Sequence, residues 1–82
     1  MDVKVLGPGC ARCKQLYEAT DHAIKELGLA ATLTKVEILT EIASYNVLMT
    51  PALVIDGQVK AAGRVPSAAE LTNLLTTAAG PS

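Results

Sequence analysis

The chain has almost no aromatic residues: Tyr17 and Tyr45 are the only ones among 82 residues, and Phe and Trp are absent. Half of the residues are nevertheless apolar, which predicts a globular chain and argues against disorder. A core without large rings has to be built from Val, Leu, Ile and Ala, packed closely to compensate for their size. This length allows one hydrophobic core. We expect a single domain over residues 1–79 and a frayed tail over residues 80–82.

A strong charge of either sign and a long apolar run are also missing. Seven basic and eight acidic residues give a net charge of −1, so no basic surface for nucleic acid or an anionic membrane is expected. No apolar run approaches the roughly 20 residues of a spanning helix, and "MDVKVLGPG" does not resemble a signal peptide. We therefore expect a cytoplasmic protein with no nucleic-acid or membrane partner. In that compartment thiols are kept reduced, and disulfides are more often transient and catalytic than structural.

The first half of the chain predicts two strands and two helices. "VKVLG" (3–7) is an apolar run ended by Gly-Pro-Gly, which is typical of a buried strand. Apolar residues then recur at helical spacing from Cys10 to Leu27, and Gly28 stands where a helix favours a left-handed residue. "TLTKVEI" (32–38) is rich in β-formers and predicts a second strand. "LTEIASY" (39–45) predicts a shorter helix.

The second half predicts a hairpin and a final helix. Asn46 is a suitable left-handed end for the preceding helix. Asp56-Gly57 separates two strand-like runs, which is the strongest short-range signal for a hairpin. Ser67 and Glu70 have the spacing of a capping box, which opens the last helix.

The predicted order is therefore β-α-β-α-β-β-α. The first two strands are joined through a helix and should be parallel, with a right-handed crossover, whereas the last two form an antiparallel hairpin. The expected fold class is α/β: a four-stranded mixed sheet flanked by three helices, with helices on both faces.

The only two cysteines lie in "GPGCARC", and metal binding is one interpretation of the pair. Structural zinc usually requires four Cys or His ligands, whereas this chain has two Cys and one His. His22 is expected to face solvent, because it lies on the side of its helix opposite Thr20 and Ile24. A complete zinc site within the chain is thus not expected. Two thiolates still suit a soft ion such as Cu(I), or a zinc ion shared across a dimer.

The two cysteines can also be interpreted as a structural disulfide or as a redox disulfide. A bridge from Cys10 to Cys13 closes a very short loop and stabilises a fold little. Redox chemistry suits the spacing better, because residues three apart share a helix face. Cys10 lies at a helix N-terminus, where the dipole lowers the pKa of a thiol; Cys13, one turn further, should be more shielded and suits a resolving thiol. Arg12 and Lys14 either add to this positive field or are ordinary solvated charges.

A proline precedes the predicted hairpin in "MTP" (49–51). Proline is tolerated there only at the start or edge of a strand. The Thr50–Pro51 bond is either cis, which usually marks a constrained turn, or an ordinary trans bond that opens the strand.

"GPGCARC", the segment "IASYNVLMTPALVIDGQVKAAGRVPS" and the element order together resemble the thioredoxin superfamily. The resemblance covers almost the whole chain and is narrowest to the small, glutaredoxin-sized redox-active disulfide proteins of bacteria and archaea. It implies a thiol–disulfide oxidoreductase whose Cys10–Cys13 disulfide is its only redox group, with no other cofactor and no metal. Cys10 would be the nucleophile and Cys13 the resolving thiol.

The resemblance also implies a substrate groove. Pro51 would be a cis-proline packed against the disulfide, the backbone of Thr50 would pair with a substrate segment as an added strand, and Gly63 would line the same groove. We expect a monomer that acts on protein disulfides and is reduced by a thioredoxin-reductase-like protein or another dithiol reductant. Glutathione is the alternative reductant.

The chain departs from ordinary thioredoxins at two places. Gly9 replaces the tryptophan that precedes their motif, and the first strand carries Lys4 where a buried acid is expected, with Asp2 too early to replace it. The identity of the base that deprotonates the second thiol therefore stays open. Glu37 could act from the end of the second strand, or it is a solvated charge there and water accepts the proton. Two other functions also stay open, a soft-metal carrier using the same thiols and a redox sensor without turnover.

Overall fold

The seven elements follow one another in the order that the sequence predicts. A computed structural model describes residues 1–80, so the tail predicted over 80–82 lies outside the described residues except for Gly80. The elements are β1 (Asp2–Leu6), α1 (Ala11–Leu27), β2 (Thr32–Val36), α2 (Leu39–Ser44), β3 (Ala52–Ile55), β4 (Gln58–Ala62) and α3 (Ala68–Ala78). No helix in this part of the chain is long and apolar enough to cross a membrane.

The strands form one mixed sheet in the order β2-β1-β3-β4. β1 lies in the centre, parallel to β2 and antiparallel to β3, and β3 pairs with β4 as an antiparallel hairpin. The predicted fold class, an α/β fold with a four-stranded mixed sheet and three helices, is confirmed.

The ends of β1 and β2 differ from the predictions, which ran to residues 7 and 38. Leu6 and Val36 are the last paired residues of the two strands, and Gly7 adds one more bond by donating its N–H to the Val36 carbonyl, 2.9 Å away. Beyond that point β1 turns into the glycine-rich loop, so β2 has no partner to pair with. The length of β2 is therefore set by where β1 ends, and the local sequence of β2 carries no signal for that.

The two faces of the sheet carry separate cores. α1 and α3 cover the face from which Val3, Val5, Leu53 and Ile55 project. α2 covers the other face with Ile42, and the residues buried beneath that helix are Leu6, Val36, Ala52 and Val54. β1 contributes to both faces because side chains alternate along a strand.

Three turns follow the sequence closely. Gly28 ends α1 in the left-handed conformation with φ 63°, and Asn46 follows α2 with φ 60°, as predicted for both. Asp56 and Gly57 both have positive φ, 48° and 82°, as a two-residue type I′ hairpin requires.

The predicted capping box of α3 is only half formed. The Glu70 N–H donates to the Ser67 side chain at 3.1 Å, as expected of an N-cap. The Glu70 carboxylate does not reach back to Ser67; it accepts two hydrogen bonds of 2.6 Å from the Arg64 guanidinium. A bidentate, charge-assisted pair is stronger than a bond to a neutral backbone N–H, which explains the difference.

Candidate active site

Cys10 and Cys13 form a disulfide at the start of α1, with their Cα atoms 5.0 Å apart. Cys10 is the N-cap residue, and its Sγ accepts the backbone N–H of Cys13 at 3.2 Å. The side chain of Cys10 is exposed, whereas Cys13 retains only 5% of its accessible surface. The predicted difference in shielding between the two sulfurs is confirmed.

The loop before Cys10 depends on two glycines for different reasons. Gly9 has φ 94°, a conformation that other residues rarely adopt. A Cβ on Gly7 would overlap Cys13 Sγ and would lie 3.1 Å from Cys13 Cβ, so β1 and the second sulfur approach each other only because no side chain stands between them. From the sequence, Gly7 was placed at the end of the first strand, and this contact was missed.

The Pro51 segment also approaches Gly7. The Thr50–Pro51 peptide bond is cis, Pro51 is buried, and its Cα is 3.9 Å from where a Gly7 Cβ would stand. Gly63 has φ 75° and donates its N–H to the Pro51 carbonyl at 2.8 Å. Three residues singled out in the sequence, Cys13, Pro51 and Gly63, are therefore brought to one end of the sheet, and Cys13 and Pro51 both approach Gly7 there.

A small cavity of about 40 Å³ lies beside Cys13. It is lined by Val5, Gly7, Gly9, Cys13, Lys14, Lys35 and Glu37. The β1 residue that lines the cavity is Val5. The resemblance had placed Lys4 at the position that faces the second thiol, and this expectation is wrong. Lys4 faces α2, where its Nζ donates to the Tyr45 hydroxyl at 3.0 Å. The conclusion that β1 supplies no acid to Cys13 is unchanged, since Val5 is apolar.

The charged residues of the motif differ in position. Arg12 and Lys14 are both exposed, but only Lys14 lines the cavity. Lys35 lines it from β2, and its Nζ lies 4.6 Å from the centre of the Tyr17 ring. The influence of Arg12 and Lys14 on the thiols stays a prediction.

His22 is exposed, as predicted, with its Nε2 3.5 Å from a Glu26 carboxylate oxygen. Across residues 1–80, no three His, Cys, Asp or Glu side chains come together as a metal-binding group.

Comparisons with known proteins agree with this geometry. A family model described as a thioredoxin domain matches residues 1–76. A protein named thioredoxin from Methanothermobacter thermautotrophicus is 34% identical over 76 residues, which cover 93% of this chain and 99% of that protein. Another thioredoxin, from Methanocaldococcus jannaschii, is 36% identical over 69 residues, or 84% of this chain and 79% of the relative. This chain belongs to the thioredoxin family.

Proposed function

We propose that Cys10 is the nucleophile and Cys13 the resolving thiol of a thiol–disulfide oxidoreductase. The activity class follows from the family together with the dithiol at CxxC spacing. The division of roles rests on one observation: the disulfide joins an exposed sulfur to a buried one. A disulfide in another protein can approach Cys10 but not Cys13.

The position of Cys10 also suits attack. The thiolate is the nucleophilic form of cysteine, and unpaired N–H groups at a helix N-terminus stabilise it. The Cys13 N–H already points at Cys10 Sγ, at 3.2 Å, and a thiolate would accept the same bond. A neighbouring cationic side chain, such as that of Lys14, favours the anion further.

Two displacements complete the reaction. The Cys10 thiolate attacks one sulfur of the substrate disulfide; the other substrate sulfur leaves as a thiolate, and a mixed disulfide remains. The Cys13 thiolate then attacks Cys10 Sγ, which forms the Cys10–Cys13 disulfide and releases the second substrate sulfur. Two electrons pass from the protein dithiol to the substrate, and an external dithiol reductant returns them.

We further assign the substrate groove to Thr50, Pro51 and Gly63. Pro51 and Gly63 are tied by a hydrogen bond of 2.8 Å, and no other residue in the described chain bonds to the backbone of Thr50. An extended substrate segment can therefore pair with that backbone as an added strand. Leu48 and Met49, which precede it, are 99% and 65% exposed, so they offer apolar contacts to a protein substrate.

The protein is then a cytoplasmic monomer that acts on protein disulfides. A thioredoxin-reductase-like protein or another dithiol reductant recycles it, and the disulfide serves as its only redox group. The family supports substrates and reductant of this class; monomeric state and compartment are part of the proposal.

Replacing each cysteine in turn tests the division of roles. Cys13→Ser should attack a protein disulfide and stop at a mixed disulfide, which non-reducing gel electrophoresis and mass spectrometry detect. Cys10→Ser should form no such adduct and should lose turnover, by at least about 10³-fold in kcat/KM, because the accessible nucleophile is gone. Adducts formed by Cys10→Ser and not by Cys13→Ser would reverse the assignment.

A further inference from the structure

The second displacement needs Cys13 as a thiolate, and its surroundings oppose that state. Cys13 is 5% exposed, and burial in apolar surroundings disfavours the charged form of a thiol. Its proton must leave when the Cys10 mixed disulfide is resolved. Bulk water reaches this sulfur poorly, so a nearby group that accepts the proton would accelerate the step.

The cavity beside Cys13 leads to one acid. Glu37 is the only Asp or Glu among the residues that line it. Lys35 pairs with Val5 across the sheet, and Glu37 lies two residues beyond Lys35, hence on the same face of an extended chain. Its Oε2 is 3.0 Å from where a Cβ of Gly9 would stand, so the carboxylate lies against the loop that leads to Cys10.

Glu37 also connects the buried side of the site to solvent. The residue is exposed overall, while its side chain forms part of the wall of a cavity that Cys13 shares. The cavity volume of about 40 Å³ leaves room for a water molecule, which requires roughly 10–15 Å³ of such space. A water molecule in the cavity could therefore carry a proton from Cys13 to Glu37, and the exposed carboxylate could pass it to bulk solvent.

No ion pair holds Glu37 in another role. The salt bridges of residues 1–80 do not include it, nor does any side-chain hydrogen bond in that range. The other charged groups lining the cavity are Lys14 from α1 and Lys35 from β2. Both are cations, and a positive charge near Cys13 favours the thiolate that forms in the step.

We propose that Glu37 is the general base for the resolving thiol. The inference rests on the proposed function, in which Cys13 resolves the mixed disulfide. In the step, the Cys13 S–H bond breaks and its proton passes to the Glu37 carboxylate; the sulfur attacks Cys10 Sγ, and the substrate sulfur leaves with the electron pair of the broken S–S bond. Glu37 then releases the proton to water. In the reverse direction Glu37 returns the proton to Cys13.

A two-phase reaction separates this step from the first one. The reduced protein is mixed with dithiobis(nitrobenzoate), which releases one coloured thiolate when Cys10 attacks and a second when Cys13 resolves the adduct. We expect Glu37→Gln to leave the first phase at its wild-type rate and to slow the second by about 10²-fold near neutral pH, the range typical of general-base assistance. Glu37→Asp should restore part of the rate.

The pH profile and a control variant exclude a merely structural effect. In Glu37→Gln the second phase should rise with pH as hydroxide replaces the missing base, and it should reach the wild-type rate where the Cys13 thiol ionises without help. Glu18→Gln removes the same charge from an exposed position of α1, does not touch the cavity, and should match the wild type in both phases. Circular dichroism checks that each variant is folded.

The outcomes distinguish the two proposals. An unchanged second phase in Glu37→Gln, or an equal slowing in Glu18→Gln, would overturn the role of Glu37 and leave the cysteine roles intact. Absence of a second phase in the wild type itself would instead remove the resolving role of Cys13, and with it the proposed function.

Discussion

The two faces of the sheet bury very different amounts of the chain. The face under α1 and α3 carries a cluster of ten buried residues among those described, whereas the face under the six-residue α2 carries five. Cys13 extends inward from α1 toward β1 on the first face, while Ile38 and Leu39, 60% and 69% exposed, border the second. The buried sulfur is therefore held on the well-packed face, while the lightly covered face is bordered by exposed apolar side chains.

Truncating one buried residue on each face gives the largest difference in stability. Leu16 of α1 is fully buried in the larger cluster, and Ile42 of α2 is 5% exposed in the smaller one. We expect Leu16→Ala to lower the free energy of unfolding by about 4 kcal/mol and Ile42→Ala by about 2 kcal/mol, because a thinly covered site relaxes more easily around a cavity. Urea unfolding of both variants measures the two values. A larger loss from Ile42→Ala would contradict the comparison.

Adding a side chain at Gly7 should lower the stability of the fold by an intermediate amount, and the disturbance should be confined to the surroundings of Cys13. A Cβ there overlaps Cys13 Sγ, so Gly7→Ala should cost about 1–3 kcal/mol, as overpacking does, and should shift the reduction potential of the dithiol. Gly28→Ala is the matched control: its φ is 63° but a Cβ would meet no atom within 4 Å. We expect Gly28→Ala to cost about 1–2 kcal/mol, because a residue with a Cβ is strained in the left-handed conformation, and to leave the potential unchanged. Equilibration against graded dithiothreitol measures both potentials, and equal shifts would refute the steric explanation.

Local signals in the sequence predicted the elements and the turns. Gly28, Asn46 and the Asp56-Gly57 pair each have the positive φ that their residue types favour, because turn chemistry depends on a few adjacent residues. The exposure of the two cysteines also followed from position alone, since a helix cap lies at the surface and the next turn lies over the sheet.

Features that depend on pairing between distant segments were not predictable. The end of β2 is set by the end of β1, and the approach of Gly7 to Cys13 depends on how α1 packs on the sheet. The same register decides that Val5, and not Lys4, faces Cys13. Glu70 was predicted to cap Ser67, but Arg64, six residues earlier, offers a better partner. The sequence therefore identified the two cysteines that form the disulfide, while the register of the strands determines what surrounds them.

The smallest predicted effects come from two surface groups, one for each face, whose pKa shifts have opposite signs. Hydrogen bonds from Arg64 lower the pKa of Glu70 in α3 below its ordinary 4.5. On the α2 face, the hydrogen bond to Tyr45, with the nearby charge of Asp2, raises the pKa of Lys4 above 10.5. Both groups are at the surface, so each contributes less than the buried residues above.

Because the two pKa shifts have opposite directions, Glu70 and Lys4 affect the stability of the fold in different pH ranges. Glu70 stabilises the fold above pH 4.5, and this contribution is lost as the pH falls through the lowered pKa of the folded state. Lys4 stabilises it below pH 10.5, and that contribution is lost as the pH rises through the raised value. Glu70→Gln should therefore reduce the loss of stability on the acid side only, and Tyr45→Phe the loss on the alkaline side only. Urea midpoints of the wild type and both variants across the pH range test this, with Arg64→Gln expected to reproduce Glu70→Gln. If Glu70→Gln altered the alkaline side instead, the two surface interactions would be coupled through the sheet, and its faces would not be independent.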